Sequence, residues 1–335
     1  MKRTLAAIAI CLTPLAANAQ SIADDVVTGH ILPRFEALAD TTARLATVAS
    51  DDCDPVSADL RAAYGTAFDA WVSASHLRFG PTEVDERAFA LAFWPDSRGA
   101  TPRALSALIA DEDPIATDPD SYADASIAAR GFYALEFLLY DDTIMSAGDP
   151  AYRCTLIQTV TGDIAATSNV ILSDWQTRYT DEMLNPGADA AYRSEDEVLQ
   201  ELLKSLSTGL QFTSDTRLGR PLGTFDQPRP TRAEAYRSGK SASHVLLALA
   251  ALNDLATRLA ATDDELAETL NAEFSAAADQ VAALNDPVFA GVANPQSRLR
   301  VEIAQQAIDA IRTIVVDDLG PTLGVAAGFN ALDGD

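Results

Sequence analysis

An all-α fold is predicted, built from two helical bundles of four long helices each, with short extra helices and long loops between them. Three observations lead to it. Alanine and leucine are abundant, whereas the alternating valine, isoleucine and threonine runs that mark strands are nearly absent. Apolar residues recur three, four and seven apart, as one buried helix face requires. Segments of helical length are joined by short connections, which favours up-and-down packing of neighbours.

The elements follow in chain order. Lys2 and Arg3, the apolar run from Leu5 to Ala17 and the small residues of Ala17-Asn18-Ala19 read as a signal peptide over residues 1–19, cleaved near Ala19. Cys11 lies inside that run with no lipobox at the cleavage point, so the mature chain is expected to be soluble and periplasmic or otherwise secreted. Ser21 to Ala49 carries Ile31, Phe35, Leu38, Leu45 and Val48 in one stripe, with Pro33 disturbing its first turns. Asp51, Asp52 and Asp54-Pro55 end it. Ala58 to Phe79 is the next helix, with Tyr64, Phe68, Trp71 and Leu77 as core residues, and Gly80-Pro81 stops it.

Thr82 to Ala110 reads as shorter helices broken at Trp94-Pro95-Asp96, and Asp111 to Asp120, with Pro114 and Pro119, as a loop. Tyr122 to Tyr140 is then expected as a helix, and Pro150 opens another that runs through Trp175 toward Tyr179. Asn185-Pro186-Gly187 is the expected boundary between an N-terminal bundle, residues 20–185, and a C-terminal one, residues 186–335. Beyond it, Ser194 to Phe212 is helical and Arg217 to Arg229 is an extended linker rich in glycine and proline. Three long helices follow over Arg232 to Ala260, Asp263 to Leu284 and Arg298 to Leu319. No stretch after the signal segment reaches eighteen uninterrupted apolar residues, so no transmembrane segment is expected in the mature chain.

The chain has 335 residues with 49 acidic and 24 basic side chains, a formal net charge of -25. A nucleic-acid partner is therefore excluded, because such binding needs lysines and arginines to displace phosphate counterions. Cys53 and Cys154 remain after export as an even pair in an oxidising compartment, which predicts a structural disulfide closing a loop of about one hundred residues.

The segment Gly131-Phe132-Tyr133-Ala134-Leu135-Glu136-Phe137-Leu138-Leu139-Tyr140 is apolar on nearly every face. Glu136 within it needs a cation, a proton or a ligand, since a carboxylate cannot be left unpaired in a core. Tyr133 and Tyr140 share its side of the helix, with Arg130 a turn earlier. Two readings of Glu136 stand: a ligand or metal site, or internal pairing with an arginine. Gly131 is explained by close approach of another helix or of a ligand.

The three histidines, His30, His76 and His244, do not form an H-E-x-x-H pair, though side chains from different helices can still converge on a metal. The nucleophile-elbow pattern is absent, and Arg237-Ser238-Gly239-Lys240-Ser241 lacks the glycine run of a phosphate loop. In a helical reading Arg237 and Ser241 share a face and are available to a carboxylate from the other bundle. Pairs such as Asp141-Asp142 and Asp263-Asp264 lack EF-hand spacing and read as solvated acidic faces.

These residues carry a resemblance. Arg130 to Leu139 looks like the G-x-H-x-x-E signature of the imelysin-like family of exported bacterial proteins, with Gly131 and Glu136 matching and Tyr133 in place of the histidine. Phe79-Gly80-Pro81, Trp94-Pro95-Asp96, Arg217 to Gly223, Tyr236 to Gly239 and Gly328 to Asp335 resemble further family blocks, so the likeness spans almost the whole mature chain. It implies two four-helix bundles packed across a cleft lined by the signature helix, an association with iron uptake, and an earlier description as peptidases. The implied function is a binding or accessory protein of iron acquisition, holding ferric iron, haem or a small ligand in the cleft. A metal-dependent peptidase and a non-catalytic scaffold for a cell-envelope protein partner are the alternatives. The implied pocket collects Arg130, Tyr133, Glu136, Arg237 and Ser238, and the candidate metal ligands are Tyr133, Glu136, His76 and His244. Tyrosine in the histidine's position suits a ferric or haem iron better than zinc, or else marks a pocket that has lost its metal.

Overall fold

The computed structural model describes residues 22–119 and 121–325. The signal segment, its cleavage point at Ala19 and the closing Gly328 to Asp335 block lie outside the described residues. Among the described residues all regular structure is helical, and strand-like pairing is confined to one isolated bridge between Thr224 and Gln227. No helix among them is long and apolar enough to cross a membrane.

Helix α1, Leu32–Asp51, buries the expected stripe of Phe35, Leu38 and Leu45. A π turn, Val27–Ile31, leads into it and the Leu32 N–H reaches back to the Val27 carbonyl. The wider turn sits where Pro33 cannot donate to the regular ladder. Helix α2, Ala58–Ala74, is capped by the Ser57 hydroxyl on the Leu60 N–H and buries Tyr64, Phe68 and Trp71. It stops five residues before Phe79, because the N–H groups of Ser75 and Leu77 turn back onto Val72 and Ala74. His76 thereby lies in a turn. Helix α3, Ala100–Asp111, follows a short helix, Arg87–Leu91.

Helix α4, Gly131–Tyr140, starts nine residues later than the periodicity suggests. Gly131 takes a φ of +75°, which breaks the run, and Tyr122–Asp124 and Ile127–Ala129 form separate 3₁₀ turns. A Cβ on Gly131 would collide with the carbonyls of Ala90 and Leu91, so the glycine serves a close backbone approach. Helix α5, Pro150–Asp174, is capped by Asp149 and continues through a π turn, Trp175–Tyr179. The disulfide joins Cys53, just past α1, to Cys154 in α5.

Helix α6, Glu195–Gln211, runs into a seven-residue π segment, Phe212–Leu218, and a final turn, Gly219–Leu222. The expected linker from Arg217 is therefore helical over its first residues, and the bend falls at Gly223, whose φ is +55°. Helix α7, Ser241–Leu259, is shorter than the Arg232 to Ala260 expected. Ala235 and Gly239, both at positive φ, hold the preceding residues in turns, so Arg237 and Ser241 do not share a helix face. Helices α8, Asp264–Ala282, and α9, Pro295–Ile314, are capped by Asp263 and Asn294.

Packing links α1 with α2 and α5, and α5 with α4. Further along the chain α7 packs on α8, α8 on α9, and α6 on α7 and α9. The two sets meet where α7 lies against α2.

Candidate functional site

Polar side chains gather where elements preceding Asn185 meet elements following it. Glu136, in α4, is 3% exposed. Its Oε1 accepts from both the backbone N–H of Ser238, at 2.9 Å, and the Ser238 hydroxyl, at 2.7 Å. The turns that cut α7 short leave that N–H free of a helical ladder. Among the described residues no arginine forms an ion pair with Glu136. Arg237 instead meets Asp141 at 3.0 Å and lies over the Phe137 ring at 3.7 Å. Burial raises the Glu136 pKa above the ordinary carboxylate value, against the Ser238 bonds and the charge of Arg237.

One turn earlier on α4, the Tyr133 hydroxyl donates to Glu234 Oε1 at 2.5 Å. The other oxygen of Glu234 accepts from Arg217 Nε at 2.7 Å, and both side chains are 4% exposed. Burial opposes ionisation of Glu234, but the Arg217 guanidinium, with His244 and the Tyr133 hydroxyl, holds its carboxyl below the usual range. Burial and the facing Glu234 charge push the Tyr133 phenol well up, so it stays protonated and acts as a donor.

His244 is fully buried with Nδ1 3.5 Å from Glu234 and Nε2 3.4 Å from Asp69, whose other oxygen binds Lys240 Nζ at 2.9 Å. Burial opposes protonation of His244, yet the two carboxylates raise its pKa above the ordinary imidazole value. Asp69 belongs to α2, Lys240 immediately precedes α7 and His244 lies in its first turn, so this chain of charges ties the two sets of helices together.

His76 belongs to a different cluster. Its Nε2 lies 2.8 Å from Nε2 of His30, whose Nδ1 lies 2.8 Å from Asp254. Arg34 also reaches Asp254, at 3.0 Å. Arg130 lies apart from both clusters, paired with Asp163 through its Nε and one terminal nitrogen at 2.9 and 2.7 Å. The residues singled out in the sequence thus fall into separate groups: Glu136 with Ser238, Tyr133 and His244 with Glu234, Arg237 with Asp141, His76 with His30, and Arg130 with Asp163. Among the described residues no group of three or more His, Cys, Asp and Glu side chains is arranged to hold a metal ion.

Two cavities flank Tyr133. One of about 480 Å³ is lined by His76, Arg217, Glu234, Trp94 and Phe212 among others. The second, of about 210 Å³, includes Glu136, Trp94, Arg220, Arg232 and Arg237 in its wall. Tyr133 and Trp94, whose rings stack 6.0 Å apart, line both.

Sequence reasoning missed Glu234 and Arg217. Ala233-Glu234-Ala235 has an acid between alanines, a faint sign of burial, but it falls in a segment read as helix. Arg217 sits in the π segment after α6, where an inserted residue rotates the helix face and defeats periodicity.

A family profile described as imelysin, peptidase family M75, matches residues 31–315. The chain belongs to the imelysin family. Its relatives include iron-regulated protein A of Synechococcus elongatus, 25% identical over 280 residues that cover 77% of this chain and 73% of that one. Among solved structures, an imelysin-like protein from Psychrobacter arcticum superposes with a TM-score of 0.80 at 20% identity, covering 97% of this chain and all of that one. A putative iron-regulated protein A precursor from Parabacteroides distasonis gives 0.75 at 13% identity, covering 91% of this chain and 95% of the other. These two share the fold of this imelysin-family chain. In it, the signature position before Glu136 carries Tyr133, which spends its hydroxyl on Glu234.

Proposed function

We propose that this imelysin-family chain is an exported binding or accessory protein of bacterial iron acquisition. Its ligand is held in the cleft between two four-helix bundles, at the cavities on either side of Tyr133. The observation that carries the reading is a pair of nearly fully buried carboxylates, Glu136 and Glu234, one in the wall of each cavity that Tyr133 lines. Buried ionisable groups beside a cavity are the usual mark of a ligand site. The name of the Synechococcus relative, iron-regulated protein A, supports the iron connection.

The donor set does not suit a bare ferric ion: Tyr133 is a protonated phenol already donating to Glu234, and Glu136 is engaged by Ser238. The reading supported best is therefore a small molecule that brings its own iron ligands, haem or a ferric chelate, or a small iron-free ligand. Titration of the full chain with haem and with ferric citrate, followed by absorbance and calorimetry, tests it. Saturable binding that weakens in Glu136→Ala is expected. Absence of saturation with either probe would sink the iron-bearing version.

A further inference from the structure

The smaller cavity has a chemistry of its own. Although the chain carries about twice as many acids as bases, two of its arginines at this cavity, Arg220 and Arg232, have no carboxylate partner among the described residues. Arg220 Nε is buried without a hydrogen-bond partner, and its guanidinium lies 5.7 Å from the Trp94 ring centroid. Thr101, 1% exposed and in the same wall, leaves its Oγ1 buried and unpartnered as well.

The carboxylates in the wall are already engaged. Asp96 accepts from the backbone N–H groups of Arg98, Ala100 and Thr101 at 3.2, 2.9 and 2.8 Å. Glu136 is held by Ser238, and Arg237 by Asp141. Arg232 is exposed and Arg220 partly buried, and neither forms an ion pair among the described residues, so with the buried Arg220 Nε and Thr101 Oγ1 they leave donors free for an acceptor from outside. Burial and the nearby charge of Arg232 lower the Arg220 pKa, against the charge of Asp96, whose oxygens are taken by the backbone N–H groups. Unsatisfied buried donors are costly, and a guanidinium fork matches the planar geometry of a carboxylate or a phosphate.

We infer that the cavity of about 210 Å³ receives the oxyanion of a small organic acid, a carboxylate or phosphate gripped by Arg220, Arg232 and the Thr101 hydroxyl. The body of that ligand lies against the aromatic walls of Trp94 and Tyr236. This rests on the proposed function and names the ligand class for one of its two cavities.

The test is calorimetric titration of the full chain with benzoate, phenyl phosphate and the neutral isostere benzamide. Saturation by either anion without saturation by benzamide supports the assignment, and the anion that binds identifies the headgroup. Arg220→Gln should weaken that anion by at least about tenfold, with Arg220→Lys intermediate, because charge returns without the fork. Arg193→Gln, at an exposed arginine that lines neither cavity, should leave it unchanged. Circular dichroism checks that each variant is folded. Equal binding of benzamide and benzoate, no saturation by either anion, or wild-type affinity in folded Arg220→Gln would overturn the inference. A ferric chelate or haem that still saturates folded Arg220→Gln while neither anion binds the wild type would overturn it too, and would leave the proposed function standing.

Discussion

At the scale of single residues, the chemistry of this protein is set by charges that the core accepts only in company. Glu234 and Arg217 are nearly inaccessible, and each neutralises the other while Tyr133 and His244 complete the ring. Glu234→Gln keeps the shape but leaves the guanidinium without its anion and the imidazole with Asp69 alone. Chemical denaturation should show a loss of about 3–5 kcal/mol, and a loss near zero would mean that the pair is not closed in solution. The histidines give a second prediction. Burial lowers the pKa of His30 to about 4, against its bond to Asp254 and with help from the charge of Arg34. Burial, His30, Arg34 and Arg217 push His76 well below its ordinary value. A depressed imidazole is protonated in the unfolded chain before the folded one, so stability is full above about pH 6.5 and falls as the pH drops toward 4. His244 and Glu136, both shifted upward, act with the opposite sign. Replacing His76 with Gln isolates its part. Between pH 6.5 and 4.5 the slope of unfolding free energy against pH, from urea titrations, should change by up to about 1.4 kcal/mol per unit. An unchanged slope would show that His76 titrates normally.

At the scale of elements, helix ends and interruptions decide where these residues point. Helix α4 begins at Gly131 in a left-handed conformation that brings its first turn against the carbonyls of Ala90 and Leu91. Gly131→Ala adds both steric collision and backbone strain, so thermal and denaturant midpoints should fall by the equivalent of about 2 kcal/mol or more. A neutral result would require the short helix Arg87–Leu91 to move aside. The π segment Phe212–Leu218 does comparable work after α6, since its wider turns bring Arg217 to Glu234 and Phe212 to the wall of the larger cavity. The positive φ of Ala235 and Gly239 delays α7 and frees the Ser238 N–H for Glu136. Each of these departures from regular geometry lies beside a cavity or a buried ion pair.

For the whole molecule, contacts between distant segments hold the helices together. The Cys53–Cys154 bridge spans 101 residues and ties the end of α1 to the first turns of α5. Replacing both cysteines with serine should lower stability by about 2–5 kcal/mol in urea titrations, through a less restricted unfolded chain. Equal stability of the two proteins would show that the helix packing alone closes that loop. The charge pairs Asp69 with Lys240, Asp141 with Arg237 and His30 with Asp254 all cross from elements preceding Asn185 to elements following it. Rearrangement of the two sets of helices about α2 and α7 would therefore have to break several of them together.

Much of this was legible from residues alone. The helical class, the stripe of Phe35, Leu38 and Leu45, the helix starts at Pro150 and near Asp263, the disulfide and the burial of Glu136 all follow from local spacing and composition. Partner choice did not. Glu136 meets Ser238 at a separation of 102 residues and Tyr133 meets Glu234 at 101, and nothing in the periodicity of either segment specifies the other. The sequence determined that an acid would be buried in an apolar helix, because hydrophobic pattern acts over one or two turns. Only the tertiary structure decided what satisfies it, because the donors come from turns whose backbone angles leave no repeating trace and whose positions are set by packing across the seam.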